Sequence, residues 1–366
     1  MSTVTVRPEV MATKPYAPGL TIEEIKEKYG LDTVIKLASN ENPLGTSPIV
    51  QKTVAKHAAN IFRYPQNGNP RLNKAISEKI GVDEKCIISG NGSDEIIDLI
   101  IRVKAQPGRD EVITYESCFS MYSLMSRLCG IKFKQLQRNE NFKQPVLEIA
   151  RAATENTAAV FITSPDNPTG LAVSVDEIRQ AAEIMPSETI FVVDEAYIDF
   201  ASPAEKYNMI PLLREFPNLV LTRTFSKAYG LAGLRVGYGI MHEDLADYIT
   251  RARAPFTVNL IAEEAAIAAL NDDIFYNETL KVVKEGKQQI TDGLEKLGCK
   301  VLPSQSNFVM FTPPCSAQKL FEELLKKGVI VRYLKSFGYS DYIRVNMGTA
   351  RENDVFLKQA AEIING

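Results

Sequence analysis

From residue 86 to residue 235 the chain repeats one pattern: a short apolar run, an abrupt polar or glycine-bearing turn, then a stretch with helical spacing. Cys86-Ile87-Ile88 runs into Ser89-Gly90-Asn91-Gly92-Ser93-Asp94-Glu95 and a predicted helix over 96–104. Val112-Ile113-Thr114-Tyr115 runs into Glu116-Ser117-Cys118-Phe119 and a helix through Met125. Ala159-Val160-Phe161-Ile162 leads to Ser164-Pro165-Asp166-Asn167-Pro168-Thr169-Gly170, and Ile190-Phe191-Val192-Val193 to Asp194-Glu195-Ala196-Tyr197. Leu219-Val220-Leu221 leads to a stretch from Arg223 to Arg235 that carries Ser226-Lys227. Strands apolar on both faces and alternating with helices predict a mainly parallel sheet covered on both sides. In such sheets ligands collect beyond the carboxyl ends of the strands, where every unusual polar cluster of this chain falls.

The flanks read differently. The first residues form an arm, because the prolines in Arg7-Pro8 and in Lys14-Pro15-Tyr16-Ala17-Pro18 restrict their predecessors to extended or turned backbone. Thr21 with Glu24 matches a capping box that opens a short helix ending at Gly30. A strand-like run over 34–38 then enters the polar loop Ser39-Asn40-Glu41-Asn42-Pro43, and helices are predicted over 47–60 and 72–80. After Arg253-Ala254-Pro255 come helices over 259–270 and 273–297, short strands near 300–302, 308–311, 329–331 and 342–345, and helices over 317–327 and 351–364. The expected architecture is α/β: a large domain with a mainly parallel, mixed seven-stranded-type sheet covered by helices, and a smaller α+β domain. The expected division is an arm and the start of the small domain at 1–45, the large domain at 46–258 and the small domain at 259–366.

Composition narrows the function. A chain of 366 residues, 45% apolar and 24% charged, is ordinary for a globular enzyme. Its formal net charge of −3 and lack of long basic runs exclude nucleic acid or an anionic membrane as the main partner. No run approaches the roughly 20 apolar residues of a membrane span. The first residues lack the apolar block of a signal peptide, so the expected location is cytoplasmic. The five cysteines form no Cys-x-x-Cys pair and read as reduced structural thiols. His57 and His242 are the only histidines, far apart and without ligand-like neighbours, so neither a catalytic zinc nor a serine-histidine triad is expected. Base chemistry then falls to lysine.

Lys227 stands just past a buried strand among hydroxyls and glycines, eight residues before Arg235. Pyridoxal phosphate requires a lysine for its Schiff base and a carboxylate to keep its ring nitrogen protonated, and Lys227 and Asp194 fit those roles. Taken alone, Asp194 reads equally well as a helix cap. Gly92, Ser93 and Asp94, opening a helix, offer backbone N–H groups and a positive helix end to a phosphate, although the stretch also reads as a plain strand-to-helix turn. Arg235 with Thr224 or Ser226 would complete that anion site. Phe119 could stack on a pyridine ring, and Tyr197 and Asn167 could bond its phenolic oxygen. Arg344, on a predicted strand, and Arg332, at the end of another, have the planar fork that suits a dianionic acid group.

Assembled in this order, these stretches resemble the fold-type I pyridoxal-phosphate aminotransferases, most closely the histidinol-phosphate aminotransferases. The resemblance runs nearly the full length. It rests on Lys14-Pro15-Tyr16, Lys36-Leu37-Ala38-Ser39-Asn40-Glu41-Asn42-Pro43, Arg63-Tyr64-Pro65, Gly90-Asn91-Gly92-Ser93-Asp94-Glu95, Pro165-Asp166-Asn167-Pro168-Thr169-Gly170, Asp194-Glu195-Ala196-Tyr197 and Ser226-Lys227 through Gly233-Leu234-Arg235. It implies Lys227 as the cofactor-bearing lysine, Asp194 at the ring nitrogen, Asn167 and Tyr197 at the phenolic oxygen and Phe119 at the stacking position. That last position is usually tyrosine in the family. Ser164 and Asp166 stand where the family more often has asparagines. The phosphate would meet backbone at Gly92, Ser93 and Asp94, the hydroxyl of Thr224 or Ser226, Arg235, and Tyr64 from a second subunit. A homodimer with shared sites is therefore implied. Arg344 would bind the substrate's acid group, with Arg332 and a second subunit's Tyr16 adding donors that favour a phosphate ester, and Asn42 is a further expected substrate-binding residue. The implied reaction passes the amino group of histidinol phosphate to 2-oxoglutarate in histidine biosynthesis, with ping-pong kinetics. Alternatives on the same scaffold are an aromatic amino-acid aminotransferase and a threonine-phosphate decarboxylase. A non-catalytic regulatory protein is disfavoured by the intact Lys227 and Asp194.

Overall fold

The computed structural model describes residues 4–13, 15 and 19–366. Lys14 and Tyr16 lie outside them, and the part expected of Tyr16 with them. The strands, in chain order, are β1 (Ile35–Lys36), β2 (Ile87–Gly90), β3 (Glu111–Tyr115), β4 (Lys132–Leu136), β5 (Thr157–Thr163), β6 (Ile190–Asp194), β7 (Leu219–Thr224) and β8 (Gly237–Ile240). They continue with β9 (Lys300–Val301), β10 (Phe308–Thr312), β11 (Val329–Ile330), β12 (Arg332–Tyr333) and β13 (Ile343–Asn346).

Seven of them form one sheet in the order β2-β8-β7-β6-β5-β3-β4. Strands β7, β6, β5, β3 and β4 pair in parallel, and β8 runs antiparallel between β7 and β2. This is the expected mixed, mainly parallel sheet. The three central strands β5, β6 and β7 are buried along almost their whole length, because helices cover both faces and leave no side in water. One apolar core runs through this layer from Val50 to Leu270.

A second core joins the four-stranded antiparallel sheet β12-β13-β10-β9 to the helices Asp273–Lys296, Ala317–Lys326 and Ala350–Asn365. Strand β1 pairs in parallel with β11, which joins residues 35–36 to the segment that leads into the four-stranded sheet. The run expected as one strand over 329–331 is split: β11 belongs with β1, and after Val331 the chain enters the four-stranded sheet as β12.

One boundary moves. Helix Leu260–Leu270 was expected in the small domain, yet its Ala262, Ala265, Ala266 and Ala269 lie in the large core, against helices Pro48–His57 and Pro70–Ile80. The start of the small domain expected at 259 is therefore one helix early. The physical signal is in the residues: Leu-Ile-Ala-Glu-Glu-Ala-Ala-Ile-Ala-Ala-Leu has little polar face, and a helix apolar nearly all round is driven inside.

Candidate active site

Lys227 follows β7 directly, and its Nζ donates to the carbonyl of Ser39 at 3.1 Å while lying 5.8 Å above the ring of Tyr197. Burial, reinforced by the nearby positive charge of Arg344, lowers its pKa to about 8, so a free amine is far more accessible than in an exposed lysine. The neighbouring strand β6 ends in Asp194, which is buried. Tyr122 donates to its Oδ2 at 2.8 Å and Thr222 to its Oδ1 at 3.0 Å. Burial raises its pKa to about 6, although both hydrogen bonds pull the other way.

Asp194, Lys227, Tyr197, Asn167 and Phe119 share one cavity of about 160 Å³ at the carboxyl ends of β5, β6 and β7. Its far end is built for an anion. Ser93 and Asp94 open the twelve-residue helix Ser93–Lys104, so the positive end of the helix points there. Gly92, in front of them, has φ +81°, and a Cβ on it would lie 2.7 Å from an Arg235 nitrogen. Gly237 is under the same restriction from β8, where a Cβ would come within 2.6 Å of the Ser93 nitrogen. Thr224 and Ser226 both present hydroxyls to the cavity and bond each other at 2.9 Å. Arg235 closes the group in left-handed backbone, φ +54°, with its guanidinium 3.2 Å from Asp94. A buried carboxylate at one end, an amine at the side and a helix N-terminus with hydroxyls and arginine at the other match the donors and acceptors of pyridoxal phosphate.

A wider cavity of about 700 Å³ opens from the same Lys227, Phe119, Asn167 and Tyr197 toward the small domain. Arg344 and Arg332 line it, and they are direct partners across β13 and β12. Like charges placed opposite each other in a sheet repel. Among the described residues no Asp or Glu lines this cavity, while Arg127 adds a third guanidinium. Arg344 is buried, donates to the carbonyl of Ala38 at 2.6 Å and bonds the side-chain oxygen of Asn167. Arg332 is half-buried and reaches Ser336 at 3.4 Å.

One expected contact is placed elsewhere. Asn42 lines neither cavity; its amide donates to the Ala228 carbonyl and to Thr279, and its oxygen accepts from Leu44 N–H. It braces the turn after Lys227 against the helix Asp273–Lys296. Tyr64 lies away from both cavities of its own chain, 81% exposed and stacked on Phe256 at 4.8 Å.

Four contributors were not anticipated. Asn40 lines the wide cavity, donates to Tyr197 Oη at 2.9 Å, and leaves its own buried Oδ1 without a partner. Tyr122 and Thr222 hold Asp194 from a helix interior and a strand interior, where polar residues look like any other core hydroxyl. Arg127 sits in the last turn of the helix Ser120–Leu128, a common place for a solvated arginine.

Comparison with known proteins agrees with this geometry. Residues 32–359 match the family model for aminotransferase class I and II. A histidinol-phosphate aminotransferase of Oleidesulfovibrio alaskensis is 50% identical over 365 residues, covering 99% of this chain and 95% of that protein. One from Moorella thermoacetica is 37% identical, covering 98% of this chain and 92% of that protein. The crystal structure of histidinol-phosphate aminotransferase from Sinorhizobium meliloti in complex with pyridoxal-5'-phosphate superposes with a TM-score of 0.89 at 26% identity, covering 100% of this chain and 98% of that one. With the lysine, the buried carboxylate and the anion cradle at adjoining strand ends, and with this match over most of its length, the chain belongs to the class I and II aminotransferase family.

Proposed function

We infer that this chain is a pyridoxal-phosphate-dependent aminotransferase that moves the amino group of L-histidinol phosphate to 2-oxoglutarate, giving imidazole acetol phosphate and L-glutamate in histidine biosynthesis. The observation that carries the substrate reading is the cross-strand pair Arg332 and Arg344 on the wall of a cavity that no Asp or Glu among the described residues lines. Two arginines that line one cavity from paired strand positions are relieved by a dianion, so a phosphate ester or a dicarboxylic acid is the natural occupant. The relatives named as histidinol-phosphate aminotransferases point to the same substrate.

Pyridoxal phosphate, when bound, supplies an electron sink for the carbanion left as the amine-bearing carbon loses its proton. The chain's own residues do the rest. Tyr122 and Thr222 fix both oxygens of Asp194, which would set a negative charge against the ring nitrogen. Asn167 and Tyr197 would bond the phenolic oxygen, and Phe119 would stack on the ring. Gly92, Ser93 and Asp94 would give backbone to the phosphate, and Thr224, Ser226 and Arg235 would give side chains. Lys227 would hold the cofactor and, with its pKa lowered by burial to about 8, would serve as the base that moves the proton. Arg344 holds the acid group of either substrate, which lets one site serve both half-reactions.

The working unit in this reading is a homodimer, with Tyr64 of each subunit completing the other subunit's site. Ile61, Phe62 and Tyr64, 70%, 72% and 81% exposed, form an apolar surface suited to a second copy. Among the described residues no helix is long and apolar enough to cross a membrane, and we assign the enzyme to the cytoplasm. The deciding experiment assays histidinol phosphate, phenylalanine and threonine phosphate with 2-oxoglutarate. Glutamate formed fastest from histidinol phosphate supports the assignment; preference for phenylalanine, or release of carbon dioxide from threonine phosphate, overturns it.

A further inference from the structure

The two substrate-facing arginines sit on strands joined by the turn 334–342, and that turn is seated on the large domain by a buried group with no part in the chemistry above. Arg138 lies just beyond β4 with its side chain only 6% exposed, and Asp166 precedes Asn167 at 0%. Their ion pair is 2.9 Å long. The same guanidinium donates to the carbonyls of Glu116 at 3.1 Å, Ser117 at 3.3 Å and Phe142 at 3.0 Å. It also lies 4.5 Å over the ring of Tyr115, whose hydroxyl donates to the other Asp166 oxygen at 2.8 Å. One arginine thus ties together the loops after β3, β4 and β5.

Two of the residues it holds touch the small domain. Ser117 and Phe142 both have left-handed backbone, φ +57° and +64°, which non-glycine residues keep only when their surroundings impose it. Ser117 donates its hydroxyl to the Phe337 carbonyl at 2.5 Å. The ring of Phe142 packs edge-on against Tyr339 at 5.3 Å and Tyr342 at 5.2 Å. These contacts fall on the turn between β12, which carries Arg332, and β13, which carries Arg344.

We propose that Arg138 and Asp166 are positioning residues for acid recognition: by holding Ser117 and Phe142 in strained backbone they seat the turn 334–342, and so set Arg332 and Arg344 against the cavity wall. The proposal rests on the amino-transfer reading above. Arg138 touches no reacting atom, and its effect passes through the seat. Loss of the seat lowers the fraction of molecules with both arginines in place, which weakens substrate binding without altering the cofactor's attachment.

The test uses the pyridoxal-phosphate-loaded enzyme and two variants. R138L/D166N removes both charges together, so no lone buried charge remains; F142A removes only the aromatic seat. In the half-reaction with glutamate, followed by the visible absorbance, F142A is expected to raise the half-saturating glutamate concentration about tenfold while the limiting rate stays within about threefold. Hydrogen exchange of the 334–342 amides should quicken in both variants. Half-saturation within about twofold of the parent in F142A, or unchanged exchange over 334–342 in either variant, overturns the proposal. A parent enzyme that does not react with glutamate at all overturns the amino-transfer reading instead, and the exchange result then still decides the seat.

Discussion

The narrow cavity around Asp194 and the wide one around Arg332 share Lys227, yet they are built on different terms. The narrow one is assembled from the ends of adjacent parallel strands within one layer, and its key carboxylate is held by Tyr122 and Thr222 inside the core. The wide one lies between two cores, and its walls come from the arm, the large domain and the antiparallel strands β12 and β13. A site inside one close-packed layer is rigid and suits a cofactor that stays. A site across two layers can adjust to acids of different length, which an enzyme with two unlike substrates requires.

Substitutions on the two sides should therefore fail in different ways. The largest effect is expected from Lys227→Ala, which removes the attachment point and the base: turnover should fall by about 10⁴-fold or more, with loss of the visible absorbance of the purified protein. A coloured, active K227A protein would remove the chemical centre from this residue. Next is Arg344→Gln, on the recognition side. Truncating a buried charge that meets a charged ligand costs about 2–5 kcal/mol, so kcat/KM should drop by roughly 30-fold or more for both substrates while the absorbance is retained. Equal loss of absorbance would mean that the two cavities are not separable.

Arg332→Ala should be milder and more selective. This residue is half-buried, and loss of a hydrogen bond to a charged group corresponds to about tenfold in KM, expected for histidinol phosphate more than for glutamate. An unchanged KM for histidinol phosphate would end the paired-arginine argument. The last prediction is a matter of pH. Because burial lowers the Lys227 pKa from 10.5 to about 8, the neutral amine grows about tenfold per pH unit up to about pH 8 and then levels off. The rate at which cofactor-free enzyme takes up pyridoxal phosphate should follow that curve. A rise continuing toward pH 10 would mean that the lysine is not desolvated.

Most of the narrow cavity was legible in advance, because each of its groups lies directly after an apolar run and a buried strand announces its own end. The residues overlooked there, Tyr122 and Thr222, are hydroxyls inside regular elements, and nothing in their sequence context separates them from core filler. The wide cavity was less legible. Arg332 and Arg344 were chosen for their chemistry, but their direct opposition depends on the register of β12 with β13. Asn42 and Asn40 show the same limit: both lie in one polar loop, and the fold turns Asn40 into the cavity and uses Asn42 as a brace. The helix Leu260–Leu270 follows the large domain's last strand in chain order yet packs into the large core, as its apolar circumference requires.

By itself the sequence determined the class of sheet, the edge at which chemistry gathers and the lysine and carboxylate that end neighbouring strands there. These follow from period, turn residues and strand polarity, which are local and repeat along the chain. Only the tertiary structure decided which loops meet across the two cores, which of two similar asparagines lines the cavity, and which loops Arg138 ties to Asp166 beside the turn between the arginine strands. Those relations join residues many positions apart, and no local pattern carries them, because they are set by how whole layers pack.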